Sequence, residues 1–391
     1  MKIYNISTYR PEQCGIAAWT EDKINYSHKI DPSFRNRVIA VNGFRKKNEY
    51  TDFVDFCIDR DNLEDYVTAA KFVNNNPQAK VVGIQHEFGI FGGERINGKA
   101  LGNYILKFID HLKKPLVTTC HTTFAYPLKG EEELFEKRKI ILKEVLSKSD
   151  KIIAISNTAR NILVKNYNIN PKKINVILHG IHKFDESTEH AKKILGLEDR
   201  FVLSMVGLVR KKRGMEHVIR ALPPVVGKHP ELLYVLAGKT HPKEIEDGKE
   251  PYREFLKNEV SRLNLEDNVL FVNRFLPLSS LLRYIQASDA CITPYADPRQ
   301  ISSGVLSYNL GLEKPTISTP FNYANEILGE GRGIILPDFN NPDSMSKAIL
   351  ELLDNPKKIV DIKKNIKPFK EKMLWENVAK KYIEVEKSVI K

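Results

Sequence analysis

Long hydrophobic runs and closely spaced cysteines are both missing from this sequence of 391 residues. No apolar run approaches the roughly 20 residues that a membrane-spanning helix needs. Met1 leads straight into a strand-like segment, so we also expect no secretory signal. The four cysteines, Cys14, Cys57, Cys120 and Cys291, have no metal-type spacing and predict reduced thiols in a cytoplasmic protein.

Two glycine-rich nucleotide-binding patterns are absent as well. The fingerprint G-x-G-x-x-G does not occur, which argues against a dehydrogenase, and neither does the P-loop pattern G-x-x-x-x-G-K-[ST]. A net charge of +12 nevertheless indicates attraction to anions. Because the lysines are scattered, as over residues 357–372, without interleaved aromatic residues, we expect no nucleic-acid partner. Peripheral contact with an anionic membrane, at its inner face, stays open as an alternative to a plain solvated surface.

Short β-branched runs alternate with longer helical patterns along the chain, which predicts parallel sheets built from βαβ units. The predicted strands begin at residues 2, 37, 80, 115, 151 and 174, and again at residues 201, 231, 268, 289 and 315. The polar stretch 183–200 separates the two series. We therefore predict two Rossmann-like, doubly wound domains, residues 1–185 and 198–370, and an amphipathic helix over 371–391. The domains would face a central cleft, with ligands beyond the carboxyl ends of the strands.

Three strand ends of the first half carry candidate ligand-binding groups. Gly15 precedes a helix, where backbone N–H groups suit a phosphate, although a structural turn explains a single glycine equally well. His86 and Glu87 follow the strand that begins at residue 80; Glu87 suits sugar hydroxyls or the role of a base, unless the pair is a solvated turn. His121 follows the next strand and is expected to contact a ligand. A nucleophilic pair with Cys120 is disfavoured, because adjacent strand residues point to opposite faces.

The strongest phosphate signal follows the strand that begins at residue 201. Four consecutive cations lie between Gly207 and Gly214, namely Arg210, Lys211, Lys212 and Arg213. Backbone donors, a helix N-terminus and positive side chains converge in this loop, which predicts a diphosphate site. The alternative is an exposed basic turn.

The stretch 300-QISSGVLSYNLGLEKPTIST-319 predicts a loop, a helix and a buried strand. No carboxylate, histidine or cysteine occurs between Asp297 and Glu313. Three residues open the helix, Ser302, Ser303 and Gly304. Their N–H groups and hydroxyls suit an anion or a sugar ring, although Ser302 is alternatively only a helix cap.

Several of these segments, taken in order, resemble one family. They are 14-CGIA, 85-QHEFGIFGG, 120-CHTTFAYP, 179-HGI, 207-GLVRKKRG, 229-HPELLYVLAGKTHP and 300-QISSGVLSYNLGLEKPTISTPFNYANEILGEGRG. The chain resembles the retaining glycosyltransferases of family 4, and most closely a bacterial and archaeal branch with SSG or TSG in place of the usual two-glutamate loop. The resemblance covers nearly the whole chain. It implies the GT-B fold, with acceptor mainly on the N-terminal domain, donor on the C-terminal domain and a last helix that returns to the first domain.

The resemblance and the motifs together assign the candidate site residues. Those expected to be catalytic are His121, Arg213 and Gln300; those expected to bind the donor are Gly15, Gly207, Arg210, Lys212, Arg274, Ser302, Ser303, Gly304 and Tyr308; and those expected to bind the acceptor are His86 and Glu87. Arg213 falls on the family's diphosphate lysine, whereas Leu208 falls where many members have a second arginine. Gln300 and Tyr308 fall on the two glutamates, and Tyr308 either reaches a ribose hydroxyl or simply packs.

The implied reaction moves a hexose from a nucleotide-diphosphate sugar to an acceptor hydroxyl, with retention at the anomeric carbon and with the leaving phosphate taking the acceptor proton. GDP-mannose is the first expectation for the donor and a UDP- or ADP-sugar the second; a glycan, a lipid-linked sugar or a small polyol would be the acceptor. We expect no obligatory metal, on the premise that the sequence has no Asp-x-Asp metal motif. The alternatives are a GT-B sugar-nucleotide epimerase, a phosphorylase, or a non-catalytic nucleotide-sugar-binding or membrane-scaffold protein.

Overall fold

The computed structural model describes residues 1–42 and 49–390. It divides into two compact units, Met1–Gly180 with Trp375–Lys391, and Ile181–Leu374. Both are α/β units built on a parallel sheet, so the predicted doubly wound architecture is confirmed. No helix in the described part of the chain is both long enough and apolar enough to cross a membrane.

The first unit is a seven-stranded parallel sheet covered by helices. Its strands, with a small hairpin of β5 and β6, are β1 (Lys2–Ser7), β2 (Arg35–Asn42), β3 (Val54–Asp59), β4 (Ala79–His86), β5 (Arg95–Ile96), β6 (Lys99–Ala100), β7 (Leu116–Cys120), β8 (Lys151–Ala154) and β9 (Ile174–Val176). Its helices before the chain leaves the unit are α1 (Gly15–Ile30), α2 (Leu63–Asn74), α3 (Ile105–His111), α4 (Glu132–Ser147) and α5 (Asn157–Tyr167). The strand order is β3-β2-β1-β4-β7-β8-β9. The order therefore reverses between β1 and β4, the position where open α/β sheets bind ligands.

The second unit repeats the scheme with six parallel strands. They are β10 (Phe201–Val206), β11 (Leu232–Ala237), β12 (Val269–Val272), β13 (Ala290–Thr293), β14 (Thr316–Ser318) and β15 (Ile334–Ile335). Its helices are α6 (Thr188–Leu195), α7 (Met215–Ala221), α8 (Pro223–Val226), α9 (Pro251–Arg262), α10 (Leu278–Gln286), α11 (Gly304–Gly311), α12 (Asn322–Ile327), α13 (Pro342–Asp354) and α14 (Pro356–Lys370). The strand order is β12-β11-β10-β13-β14-β15, so the reversal lies between β10 and β13.

Central strands such as β7 and β11 are buried along their whole length, as expected for parallel sheets that are covered on both faces. The prediction found these strands because their apolar runs are nearly continuous. It missed β3 and β15, which lie at the edges of their sheets. Strand β3 (VDFCID) has mostly half-exposed residues and therefore lacks such a run.

The boundary between the units differs from the predicted one. The chain enters the second unit at Ile181, so the polar stretch 183–200 belongs to that unit. Ser187 caps α6 by accepting the His190 N–H, and Ala191 and Leu197 are buried in the same apolar cluster as β10 and β11. The stretch reads as polar because only one face of α6 is covered.

The C-terminal helix α15 (Trp375–Lys387) belongs to the first unit. Trp375, Val378 and Tyr382 are buried in one cluster with Trp19 of α1, and the two tryptophan rings are 5.6 Å apart. The helix begins four residues later than the predicted start at residue 371, because Glu371–Met373 form a 3₁₀ turn in the second unit.

Candidate functional site

The carboxyl ends of β10 and β13 carry the cationic loop of the second unit. Gly207 and Gly214, which bracket the loop, have φ values of 104° and 66°, a region that glycine adopts without strain. A Cβ atom at Gly214 would lie 2.3 Å from the carbonyl oxygen of Pro294, just beyond β13. The N–H of Ala296 also donates to the carbonyl of Lys212. The loop is therefore held against the end of β13, at the point where the strand order reverses.

Two guanidinium groups of this loop lie close together. Arg213 Nη1 donates to the carbonyl of Val206 at 3.3 Å, and its guanidinium lies over the Tyr295 ring, 5.2 Å from the centroid. Arg210 Nε is buried and has no hydrogen-bond partner among the described residues. Burial lowers the pKa of Arg210, and the positive charge of Arg213 lowers it further. The charge of Glu244 offsets these effects in part, and a bound anion would offset them further.

Helix α11 begins beside this loop. A Cβ atom at Gly207 would lie 3.5 Å from Val305 Cγ2, in the first turn of α11. The N-cap is Ser303, whose hydroxyl accepts the Leu306 N–H at 3.2 Å, so Ser303 rather than Ser302 has the capping role. Gly304 is the first residue of the helix. The positive end of the α11 dipole and the cationic loop thus lie at the same edge of the sheet.

Gln300 lies in the loop that leads to α11. Its Nε2 donates to the carbonyl of Ser302 at 2.7 Å, which holds the turn before the helix. Tyr308, by contrast, packs against the apolar cluster around β10 and β13 and approaches the His182 ring, with 6.3 Å between centroids. These contacts favour the packing interpretation of Tyr308.

The remaining predicted donor residues of this unit are exposed. Lys212 is an exposed side chain of the cationic loop. Arg274 is exposed beyond β12, which is two strands away from β10, and its N–H donates to the carbonyl of Val272 at 3.1 Å. Arg274 therefore has no described bond to the cationic loop, and its expected contact with the donor stays a prediction.

The sequence analysis did not single out Arg299 or Asp297. Arg299 is 4% exposed and forms a two-pronged ion pair with Asp297, with Nε–Oδ1 at 3.0 Å and Nη2–Oδ2 at 2.9 Å. Burial alone would raise the pKa of Asp297, but the hydrogen bonds and charge of Arg299 lower it below its ordinary value. The pair fixes the loop just before Gln300. Its only signal in the sequence is the D-x-R spacing, which is too common to be informative.

The corresponding edge of the first unit begins at α1. Gly15 is its first residue and is exposed, with no atom within 4 Å of a Cβ placed there. Cys14 is the N-cap, and its Sγ accepts the Ala17 N–H at 3.3 Å. This edge is therefore open at Gly15, the cap itself is an ordinary structural one, and the donor contact of Gly15 stays a prediction.

His121 lies just beyond β7 and is 8% exposed. Its Nε2 is 3.0 Å from Gln85 Oε1, and its ring meets the Trp19 ring edge-on at 5.0 Å between centroids. Burial lowers the pKa of His121 to about 3, with smaller contributions from His179 and His86. The imidazole is therefore neutral near pH 7.

His86 does not have the geometry of an acceptor contact, which corrects the prediction. The side chain is 0% exposed, and neither ring nitrogen has a hydrogen-bond partner in the part of the chain that the structure describes. Its ring lies between those of Phe88 and Phe91, and burial lowers its pKa to about 3. A strand-end histidine looked accessible in the sequence, but these two phenylalanines, which follow it, fold back over it. Glu87 is half-buried, and its Oε2 accepts the Gly89 N–H at 2.7 Å.

The structure gives a second reason why Cys120 and His121 do not suit a nucleophilic pair. Cys120 has no exposed surface, and burial raises its pKa to about 12. A thiol with that pKa supplies almost no thiolate near neutral pH.

One Asp-x-Asp triplet does occur, at residues 59–61, so the premise of the no-metal expectation was wrong. Asp59 and Asp61 flank Arg60 at the end of β3, but Asp59 accepts the Asp61 N–H and Asp61 accepts from Arg60 and Arg95. Among residues 1–42 and 49–390, no group of three His, Cys, Asp or Glu side chains is placed to hold a metal ion. The absence of an obligatory metal stays a prediction.

Two glycosyltransferase family models match this chain, one in each unit. Residues 186–369 match the family model of glycosyl transferases group 1, and residues 98–183 match that of glycosyltransferase family 4. An uncharacterised glycosyltransferase of Methanocaldococcus jannaschii is 25% identical over 301 residues, which cover 74% of this chain and 72% of the relative. The D-inositol 3-phosphate glycosyltransferase of Corynebacterium urealyticum is 22% identical over 293 residues, covering 70% of this chain and 66% of that protein.

The similarity in three dimensions covers nearly the entire chain. HepE of Anabaena, solved in complex with UDP, has a TM-score of 0.75 at 14% identity, with 99% of each chain covered. The same protein was also solved with UDP-glucose. The predicted GT-B fold is confirmed.

Proposed function

We propose that this chain, whose residues 186–369 match the model of glycosyl transferases group 1, transfers a hexose from a nucleoside diphosphate sugar to an acceptor hydroxyl, with retention at the anomeric carbon. The chain is a glycosyltransferase; the retaining outcome, the sugar and the acceptor are parts of the proposal. GDP-mannose stays the sequence-based prediction for the donor. UDP is the nucleotide bound by the structural neighbour HepE, which makes UDP-hexoses an equal candidate.

The observation that carries the proposal is the excess of positive charge at the reversal between β10 and β13. Arg210 and Arg213 lie together there, and the buried Nε of Arg210 has no partner in the described chain. Glu244 offsets the charge of Arg210 only in part, and a nucleoside diphosphate would supply further negative charge. The bidentate geometry of guanidinium suits phosphate oxygens, and the charge that builds on the diphosphate as it leaves would be stabilised there.

The α11 end of the cluster suits the transferred sugar. Gln300 and the first turn of α11 supply amide and backbone donors and acceptors without any carboxylate. Hydroxyl groups of a hexose can both donate and accept, so a glutamine amide is a suitable partner for them. The segment 300–308 contains no carboxylate that could act as a nucleophile, which agrees with a mechanism in which the leaving phosphate accepts the acceptor's proton.

The experiment has two stages. Thermal shifts with UDP, GDP and ADP first identify the nucleotide that binds; the matching sugar nucleotides are then incubated with acceptor sugars, polyols and lipid-linked sugars. The anomeric configuration of the product, read from the NMR coupling constant, decides between retention and inversion. Conversion of the donor sugar without any acceptor would favour an epimerase, and dependence on inorganic phosphate would favour a phosphorylase. Nucleotide binding with no turnover of any donor would overturn the proposal in favour of a binding protein.

A further inference from the structure

A second loop lies beside the cationic loop. The parallel pairing of β10 with β11 continues past the strand ends: the Gly207 N–H donates to the carbonyl of Ala237 at 2.8 Å, and the Val209 N–H donates to that of Lys239 at 2.9 Å. The N–H of His241 then donates back to the carbonyl of Val209 at 2.9 Å. This register brings His241 alongside the residue after Val209, which is Arg210.

The second loop is held from the interior by Arg253, which is 1% exposed. Its Nη2 donates to the carbonyl of Gly238 at 2.8 Å, and its Nε donates to Thr240 Oγ1 at 3.0 Å. Gly238 itself has a φ of 153°, and a Cβ atom there would lie 2.1 Å from the carbonyl oxygen of Gly207. The two loops are therefore in direct contact, and the position of His241 follows from buried interactions rather than from a free surface turn.

The ring of His241 has a defined tautomer. Its Nδ1 accepts the N–H of Lys243 at 3.1 Å, as the cap of the 3₁₀ turn Pro242–Glu244. Because a backbone N–H only donates, Nδ1 carries no hydrogen, and the neutral ring has its hydrogen on Nε2. The ring therefore presents one N–H donor on the side away from the cap.

We propose that His241 is an additional binding residue for the donor diphosphate, with Nε2–H donating to a phosphate oxygen beside Arg210. This inference rests on the proposed function, since it assigns a further contact to the same anion. The observations that carry it are the backbone register, the fixed tautomer and the proximity of two guanidinium groups.

The charges around His241 give the site a second property. Burial lowers the pKa of His241, and the positive charges of Arg210, Lys243 and Arg213 lower it further, while Glu244 opposes them. The lowered pKa keeps the ring neutral near pH 7, with Nδ1 accepting the Lys243 N–H and the hydrogen on Nε2 available to donate.

Two isosteric variants separate this role from a purely structural one. In His241→Asn the amide oxygen can replace Nδ1 as the cap of Lys243, but no donor reaches the Nε2 position. In His241→Gln the amide nitrogen can replace Nε2–H, but the cap is lost. If His241 contacts the diphosphate, glutamine should preserve the binding affinity. If His241 is only a structural cap, asparagine should preserve it.

The test is isothermal titration calorimetry of the full chain with UDP and GDP. The Kd of each diphosphate is compared with the Kd of the corresponding nucleoside monophosphate. We expect His241→Asn to raise the Kd of the bound diphosphate about tenfold, and that of its monophosphate much less. His241→Gln should stay close to the wild type.

Three outcomes would overturn the inference, and they differ from a failure of the proposed function. Equal affinity of wild type and both variants for the diphosphate would remove His241 from the site. Rescue by asparagine instead of glutamine would leave it as a structural cap. Equal losses for diphosphate and monophosphate would mean that it contacts another part of the nucleotide. If the wild type bound no nucleoside diphosphate at all, the proposed function itself would fail.

Discussion

Lys23 of α1 and Glu386 of α15 form an ion pair in the interior of the first unit, although 363 residues of sequence separate them. Their side chains are 0% and 2% exposed. Lys23 Nζ also donates to Asn5 Oδ1 at 2.7 Å. Burial raises the pKa of Glu386, and the charge of Lys23 opposes that shift. The pair ties the C-terminal helix to the first helix and the first strand.

Removal of one partner should leave an uncompensated charge in the interior. We therefore expect Glu386→Ala to lower the free energy of unfolding of the first unit by about 3–5 kcal/mol. The double variant Lys23→Met/Glu386→Leu should recover most of the loss. Both tryptophans of the chain, Trp19 and Trp375, lie in this unit, so urea unfolding followed by tryptophan fluorescence reports on it directly.

A surface pair on the same helix is the matched control. Lys387 Nζ lies 2.8 Å from Asp31 Oδ2, with side chains 46% and 23% exposed. We expect Lys387→Ala to cost less than about 1 kcal/mol. Equal losses for Glu386→Ala and Lys387→Ala would contradict the assignment of the interior pair as the one that holds α15.

Arg213 should matter for nucleoside diphosphates and much less for nucleosides. We expect Arg213→Ala to weaken diphosphate binding on the order of 10- to 100-fold, because a charge-assisted hydrogen bond to phosphate is lost. Arg213→Lys should lose less affinity, since lysine keeps the positive charge but not the two-pronged hydrogen bonding of guanidinium. Isothermal titration measures both, and Lys211→Ala is the control, because Lys211 is an exposed cation of the same turn. Unchanged affinity in Arg213→Ala would remove this residue from the site.

Gln300 tests the loop that has no carboxylate. We expect Gln300→Ala to lower kcat/KM about tenfold, as one hydrogen bond to the transferred sugar disappears. Gln300→Glu keeps a side chain of the same length that can accept hydrogen bonds from sugar hydroxyls, and it should retain more activity than the alanine variant. Circular dichroism is needed beside the kinetics, because Gln300 also holds the carbonyl of Ser302. A kcat/KM equal to that of the wild type in Gln300→Ala would place the donor sugar elsewhere.

Acid should destabilise the first unit through two histidines. Burial lowers the pKa of His86 and that of His121 to about 3, whereas an unfolded histidine titrates near 6.5. Above about pH 6.5 both are neutral in either state, so their contribution is fully present. As the pH falls from there towards 3, the unfolded state binds more protons, and stability falls by on the order of 1 kcal/mol per pH unit for each histidine.

Urea midpoints between pH 7 and pH 4.5 measure this slope. His86→Phe, placed among Phe88 and Phe91, should reduce it by about half, since one of the two groups is removed. NMR of the imidazole nitrogens should show neither ring titrating between pH 5 and pH 8. A histidine signal at position 86 or 121 with a midpoint near 6.5 would contradict the assignment.

The metal requirement is open to a direct test. We expect EDTA to leave the purified enzyme active, since the described residues offer no cluster of metal ligands and the diphosphate has Arg210 and Arg213 as counter-charges. Loss of activity with EDTA and recovery with Mg²⁺ or Mn²⁺ would show that the cations of the loop do not suffice.

Much of the site was predictable because its residues follow strands. The runs before Gly207 and His121 are buried and apolar, and the carboxyl ends of parallel strands are where ligands bind. His86 followed the same pattern but was wrong as an acceptor contact, because nothing in the strand shows that Phe88 and Phe91 cover it. The capping role also moved from Ser302 to Ser303, since a helix start is reliable from sequence only to within a residue or two.

The sequence by itself determined the α/β alternation, the two parallel sheets and the loops that carry the charged and glycine residues, because burial periodicity and turn chemistry are local properties. Only the tertiary structure decided which loops meet. His241 lies beside Arg210 through the continued β10–β11 register, and Lys23 meets Glu386 through the return of α15. Such pairings depend on strand order and helix packing across long stretches of chain, and no local pattern records them.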